Sequence, residues 1–132
     1  MSDTFDRAFA EAEGWFASAK YSLIEAEDED ARANVCCAQA IHAIIRANDA
    51  LSLKFLGYKP TRHDDAAVVF AKLAKEGKLS DGATHFRDLV ADAMRDKSGA
   101  DYGKSSFSFE RAHEYVEKTE EFLAMVKSTL NL

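Results

Sequence analysis

Proline and glycine are scarce in this chain, and where they fall constrains the fold more than any other feature. There is one proline, Pro60, and there are six glycines. Gly57 and Pro60 mark one break, Gly77 and Gly82 a second, and Gly99 and Gly103 a third. Between the breaks the apolar residues recur every three or four positions, the helical period. No segment alternates with period two for more than four residues, and β-branched residues are scattered. The pattern predicts an all-α fold, a four- to five-helix up-and-down bundle.

The first helix carries Phe5, Phe9, Ala12, Phe16, Ala19 and Leu23 on one face, with Ser2 or Thr4 as its cap. Gly14 lies inside it and costs about 1 kcal/mol relative to alanine, so packing must hold this helix. The acidic run Glu25 to Asp30 suits the positive end of the next helix dipole. In the second segment, about Ala31 to Leu56, Val35, Ala38, Ile41, Ile45, Leu51, Leu53, Phe55 and the alanines between make it apolar around much of its circumference, and it is the predicted central helix. Gly57 ends it, and Lys59-Pro60-Thr61 forbids continuation. Asp64 or Asp65 caps a third helix with Val68, Val69, Phe70 and Leu73 inward, stopped by Gly77. A fourth begins near Thr84 and is expected to stop at Gly99. The stretch from Gly99 to Phe107 then reads as the longest loop, and Ser106 or Ser108 caps a last helix.

One small domain spanning 1–132 fits the length, which lets a chain bury roughly two-thirds of its unfolded surface. Apolar residues at 47% and charged residues at 30% describe a globular mixture. The net charge of −6 argues against bulk, sequence-blind DNA or RNA binding, which needs many cations. The adjacent Cys36 and Cys37 point about 100° apart on a helix and do not pair readily, so the chain suits a reducing cytoplasm and the two read as small core residues. There is no signal-peptide pattern, and no run approaches the roughly 18 apolar residues of a membrane span.

Charge is uneven. Residues 1–30 hold nine acids against Arg7 and Lys20, whereas Arg46, Lys54, Lys59 and Arg62, with His63, form a small basic region opposed by Asp49. Such a corner suits a phosphate. On the second helix Gln39, His42, Arg46 and Asp49 recur at steps of three, four and three, which places them on one face. They are either a polar groove for a ligand or a hydrogen-bond network between helices. Trp15 and Tyr21 lie off the main stripe of the first helix and supply either a dimer surface or a contact with the last helix. His63-Asp64-Asp65 reads as a helix cap rather than a metal cluster, and His113 as exposed. No metal spacing, nucleophile motif or phosphate-cradling glycine loop occurs, so neither cofactor nor metal is implied.

The stretch from Ala33 to Ala47, ANVCCAQAIHAIIRA, resembles the second-helix signature of HEPN domains. Asn48 to Gly57, His63-Asp64-Asp65-Ala66, and Lys97 to Gly103 are similar to a bacterial HEPN-like branch, and the likeness covers roughly residues 15 to 128. The family implies a helical bundle, often a homodimer, whose members are RNA-cleaving toxins or non-catalytic partners of small nucleotidyltransferases. Cleaving members carry an Arg followed a few residues later by a His before the last helix. Here Arg95 is followed by Ala100, Asp101 and Tyr102, with no proton-transferring His. The resemblance therefore implies a non-catalytic module, not an enzyme, that dimerises and binds a nucleotide or a protein partner. Its expected ligand site joins Gln39, His42, Arg46 and Asp49 to Lys97 and Tyr102 at one end of the bundle. Two alternatives stand beside it. One is an unconventional ribonuclease using His42 or His63 with Arg46 or Arg95. The other is a purely structural dimerisation domain.

Overall fold

The computed structural model describes residues 3–26, 30–60, 63–80, 82–102 and 107–132. Five helices pack as a bundle: α1 (Phe5–Glu25), α2 (Asp30–Leu56), α3 (His63–Lys75), α4 (Arg87–Tyr102) and α5 (Phe109–Leu130). A single 3-10 turn, Ala83–Phe86, leads into α4. Among the described residues there is no strand.

α2 is central, as its apolar circumference predicts. It packs against all four other helices, and its longest seam is with α1. Small residues explain that seam. Cys36, Ala40, Ala43, Ala47 and Ala50 recur at steps of three and four on α2, and Ala8, Ala12, Ala19 and Ala26 are buried on α1. Short side chains let two helix backbones approach closely. The helices run antiparallel: Cys36 Sγ lies 3.3 Å from the Ala19 carbonyl near one end, and Arg46 reaches Glu11 and Asp3 near the other.

Asn48 Nδ2 donates to the Ala66 carbonyl at 3.0 Å, and Ser80 Oγ lies 2.8 Å from Thr129 Oγ1. These bonds place α3 and the turn after it at the end of the bundle where α2 and α5 finish. Phe122, fully buried on α5, receives Phe70 of α3 at 5.8 Å and Phe86 of the 3-10 turn at 5.6 Å, ring centre to ring centre.

The predicted helix stops hold at Gly57 (φ 79°) and Gly77 (φ 72°), a left-handed backbone that glycine adopts without steric cost. After α3, Lys78 N–H bonds back to Leu73 C=O and Gly77 N–H to Ala74 C=O, closing the helix end. Gly99 does not stop α4. The helix continues to Tyr102 because its apolar stripe does: Val90, Ala93 and Ala100 are all buried. Burial outweighs the modest propensity cost of one glycine. Lys97 to Tyr102 is therefore helix rather than loop.

Val68, expected inward, faces out, and Val35 of α2 also stands at the surface. Val35 is 44% exposed and Val68 67% exposed. α3 packs through Ala66, Phe70 and Leu73, which are all buried, and Val68 falls on its opposite side. Thr4 stands at the α1 N-cap without a capping side-chain bond, whereas Ser108 caps α5, its Oγ accepting from Arg111 N–H at 3.1 Å. Ser108→Ala is expected to cost about 1 kcal/mol in urea unfolding, and Ser108→Asp to restore it.

Candidate functional site

Gln39, His42, Arg46 and Asp49 do share one face of α2, and each is only partly buried. Arg46 is the most heavily engaged. Its Nη2 donates to Asp3 at 2.9 Å, its Nε to Glu11 at 2.9 Å and its Nη1 to Asp49 at 3.2 Å. Lys59 adds a contact to Asp3 at 3.4 Å. With its side chain only 15% exposed, Arg46 has its guanidinium enclosed by three carboxylates.

The electrostatics follow from that enclosure. Burial disfavours the Arg46 charge, but the hydrogen bonds it donates to Glu11, Asp3 and Asp49 outweigh that and raise its pKa. The Arg46 hydrogen bond holds Glu11 below the ordinary carboxylate value. At Asp3 burial pushes upward, yet bonds and charge from Arg46 and Lys59 prevail and the carboxyl ends below its usual value. Asp49 goes the other way: it is the most buried of the three, and burial there exceeds the help from Arg46.

Gln39 Oε1 accepts from Ser22 Oγ at 2.6 Å, and the His42 ring stacks on Trp15 with centroids 4.7 Å apart and planes 21° from parallel. All four α2 residues are thus met by α1 or by one another. Of the basic corner expected to hold a phosphate, Arg46 and Lys59 meet the chain's own acids and Lys54 Nζ lies over the Phe5 ring at 4.6 Å, while Arg62 lies outside the described residues. Part of the acidic excess of residues 1–30 is there to neutralise α2.

The helical segment that carries Lys97 and Tyr102 lies away from this group. The end of α4 and the start of α5 meet the beginning of α2: Phe107 N–H donates to Asn34 Oδ1 at 2.7 Å. Asn34 and Arg46 are twelve residues apart, about 18 Å along a helix. The expected site therefore maps to two places. Lys97 is half-buried, and the Tyr102 side chain lies outside the described residues, as does that of His63.

A second polar cluster escaped the sequence reading. Asp96 accepts from Arg111 Nη2 at 2.9 Å and from Tyr115 Oη at 2.5 Å, tying α4 to α5. Arg111 also lies over the Tyr115 ring at 5.2 Å. Tyr115 is 3% exposed, and burial, reinforced by Asp96, pushes its phenol up. The signal available in the sequence was the pairing of two i,i+4 couples, Asp92 with Asp96 and Arg111 with Tyr115.

Arg95, a candidate for RNA chemistry, contacts Asp92 at 3.0 Å and Asp96 at 3.6 Å. His113 is exposed beside Glu117. The two cysteines are buried thiols, raised by burial to about 11 for Cys36 and about 12 for Cys37. Among the described residues no three His, Cys, Asp or Glu side chains converge on a metal position, and no helix is long and apolar enough to cross a membrane.

In comparisons with known proteins, no family model and no curated protein matches this chain.

Proposed function

We propose that this chain is a HEPN-like interaction module that works by assembly, pairing with a second copy through its α1–α2 face. The observation that carries the reading is the outer stripe of α2. Val35, 44% exposed, is followed there at steps of three and four by the half-buried Ala38, His42 and Ile45, of which Ala38 and Ile45 also pack against the core, and Trp15, 41% exposed, stacks on His42 at its margin. A solvated helix face ordinarily carries charge. This one carries aliphatic and aromatic groups, and the ions beside it, Arg46 with Asp3, Glu11 and Asp49, are compensated within the chain. Charge depletion with aromatic enrichment is the composition of an interface core.

The size suits the same reading. A helix of 27 residues is about 40 Å long, so a face two helices wide offers about 800 Å², the usual contribution of each partner to a stable interface. A two-fold arrangement buries the same patch on both copies. The internal neutralisation of Arg46 weighs against an anionic ligand at this place.

Light scattering on the full chain at about 100 μM is expected to give twice the mass of one chain. The double variant Trp15→Glu, Val35→Glu is expected to give a single-chain mass while its circular dichroism stays helical, because four carboxylates would be brought together across the two-fold axis. A wild type that runs as a monomer at that concentration, or a double variant that still pairs, overturns the proposal.

A further inference from the structure

The solvent side of α1 carries an ordered stripe. Arg7, Glu11, Gly14, Ser18, Tyr21 and Glu25 follow one another at steps of four, three, four, three and four, and all six are exposed. The order of steps reads the same from either end. The stripe runs beside Trp15, which stacks on His42, so it continues the outer stripe of α2. Its middle is bare. No described atom lies within 4 Å of the place a Gly14 Cβ would take, and a shallow hollow of about 340 Å³ opens between Glu11, Gly14, Trp15 and Ser18. A glycine inside a helix costs stability, and nothing described in the chain uses the room it leaves.

The stripe is complementary to itself. Laid antiparallel on a second copy and centred between Gly14 and Ser18, it sets Arg7 against Glu25, Glu11 against the Tyr21 hydroxyl and Gly14 against Ser18, each contact occurring twice. Each charge meets an opposite charge or a hydrogen-bond donor, and the smallest residues of the stripe meet at the axis. A parallel arrangement in register would set Arg7 on Arg7 and Glu25 on Glu25. The same axis serves α2. Across the seam Trp15 meets His42 and Glu11 meets Arg46, so the point between Gly14 and Ser18 lies beside Ala40 and Ile41. That is the middle of the outer stripe from Val35 to Ile45. Its steps of three, four and three also read the same both ways, and the axis sets Val35 against Ile45 and Ala38 against His42.

We infer that two copies pair antiparallel about one two-fold axis that crosses α1 between Gly14 and Ser18, with Arg7 of each copy on Glu25 of the other. The inference rests on the reading of the α1–α2 face as an interface, and adds its register. A face two helices wide supplies about 800 Å² from each copy, the area a stable pair needs. The bare middle and charged ends match an interface whose core is depleted of charge and whose rim is polar. Glu11 brings no unpaired charge to it, being held by Arg7 at 3.3 Å and Arg46 at 2.9 Å within the chain.

Sedimentation of the full chain over a dilution series tests the register. Arg7→Glu and Glu25→Arg are each expected to raise the dissociation constant about tenfold, because two facing ion pairs become two like-charge pairs. Glu25→Arg also makes the chain, of net charge −6, less acidic, so a loss there cannot come from overall repulsion. The double swap Arg7→Glu, Glu25→Arg should return the constant to within about threefold of wild type, although the in-chain pair of Arg7 with Glu11 stays broken. Gly14→Leu should weaken pairing by more than about tenfold by separating the two α1 helices. Its circular dichroism should stay helical, since a Cβ there meets nothing in its own chain. Insensitive single variants, a double swap as weak as either one, or a Gly14→Leu chain that pairs like wild type overturns the register. If Trp15→Glu, Val35→Glu still separates the copies in those cases, the interface reading stands. A wild type that stays single at every concentration overturns both.

Discussion

Arg46→Ala is expected to cost about 3 kcal/mol of folding stability and to lower the melting temperature by on the order of 10 °C. The cost comes less from the lost attraction than from what stays behind. Asp49 is largely buried, and without the guanidinium its carboxylate is a buried charge offset by Lys59 alone among the described residues that act on it. Arg46→Lys is not expected to rescue. The three N–H groups of an ammonium radiate from one nitrogen and cannot span the positions that Nε, Nη1 and Nη2 occupy against Glu11, Asp49 and Asp3.

The pH dependence of this loss has a definite sign. Asp3 and Glu11 are held below their ordinary values, so their contribution is complete above about pH 4 and fades as pH falls through their lowered values. Asp49 is raised, so its contribution is present in acid and is lost as pH rises through its folded value. In Arg46→Ala the Asp49 carboxyl rises further, and protonation removes the buried charge. The deficit of the variant should therefore narrow between pH 7 and about pH 4.5. Urea unfolding at the two pH values checks it; a deficit under about 1 kcal/mol at pH 7, or one that does not change with pH, would show that solvent screens the cluster.

Phe122→Ala is expected to cost about 4 kcal/mol, the range for removing a fully buried phenylalanine. Phe122 is where α3, the 3-10 turn and α5 meet, through Phe70 and Phe86. No neighbouring element can collapse into the gap without moving the others. A domain of this size has about 5–15 kcal/mol in all, so the variant should lie close to its unfolding threshold. Hydrogen exchange should speed up most in α3 and least along the α1–α2 seam, which does not touch the gap. Phe122→Leu keeps more of the volume and should lose less. Uniform acceleration across the chain would mean that this corner has no local stability of its own.

Much of the architecture is legible in the sequence. Gly57 and Gly77 stop helices because each sits where the backbone turns left-handed, and a glycine just past an apolar stripe marks that place. Gly99 misled because the same residue type inside a continuing stripe costs little, and what decides is whether the far side is buried. Ala100 is buried, but a lone alanine beyond a glycine carries no clear sign of it. Val68 misled for a related reason. In a run of Val68, Val69 and Phe70 every residue is apolar, so the pattern cannot say which one faces the core.

The candidate site was legible in its parts but not in their partners. Spacing alone put Gln39, His42, Arg46 and Asp49 on one face, and that face exists. It could not say that Asp3, 43 positions away from Arg46, would close the cation from outside. The Asp96, Arg111 and Tyr115 clasp likewise joins residues from two helices that have no local relation in the chain.

The all-helical class, the central place of α2 and most helix ends could be read from the chain, because these rest on periodicity, propensity and backbone sterics within a few residues. That the polar face of α2 is internally neutralised and that Trp15 and Val35 remain at the surface emerges when the helices pack. Those outcomes depend on which helix faces lie side by side, and charge pairing and burial across helices act through space rather than along the chain.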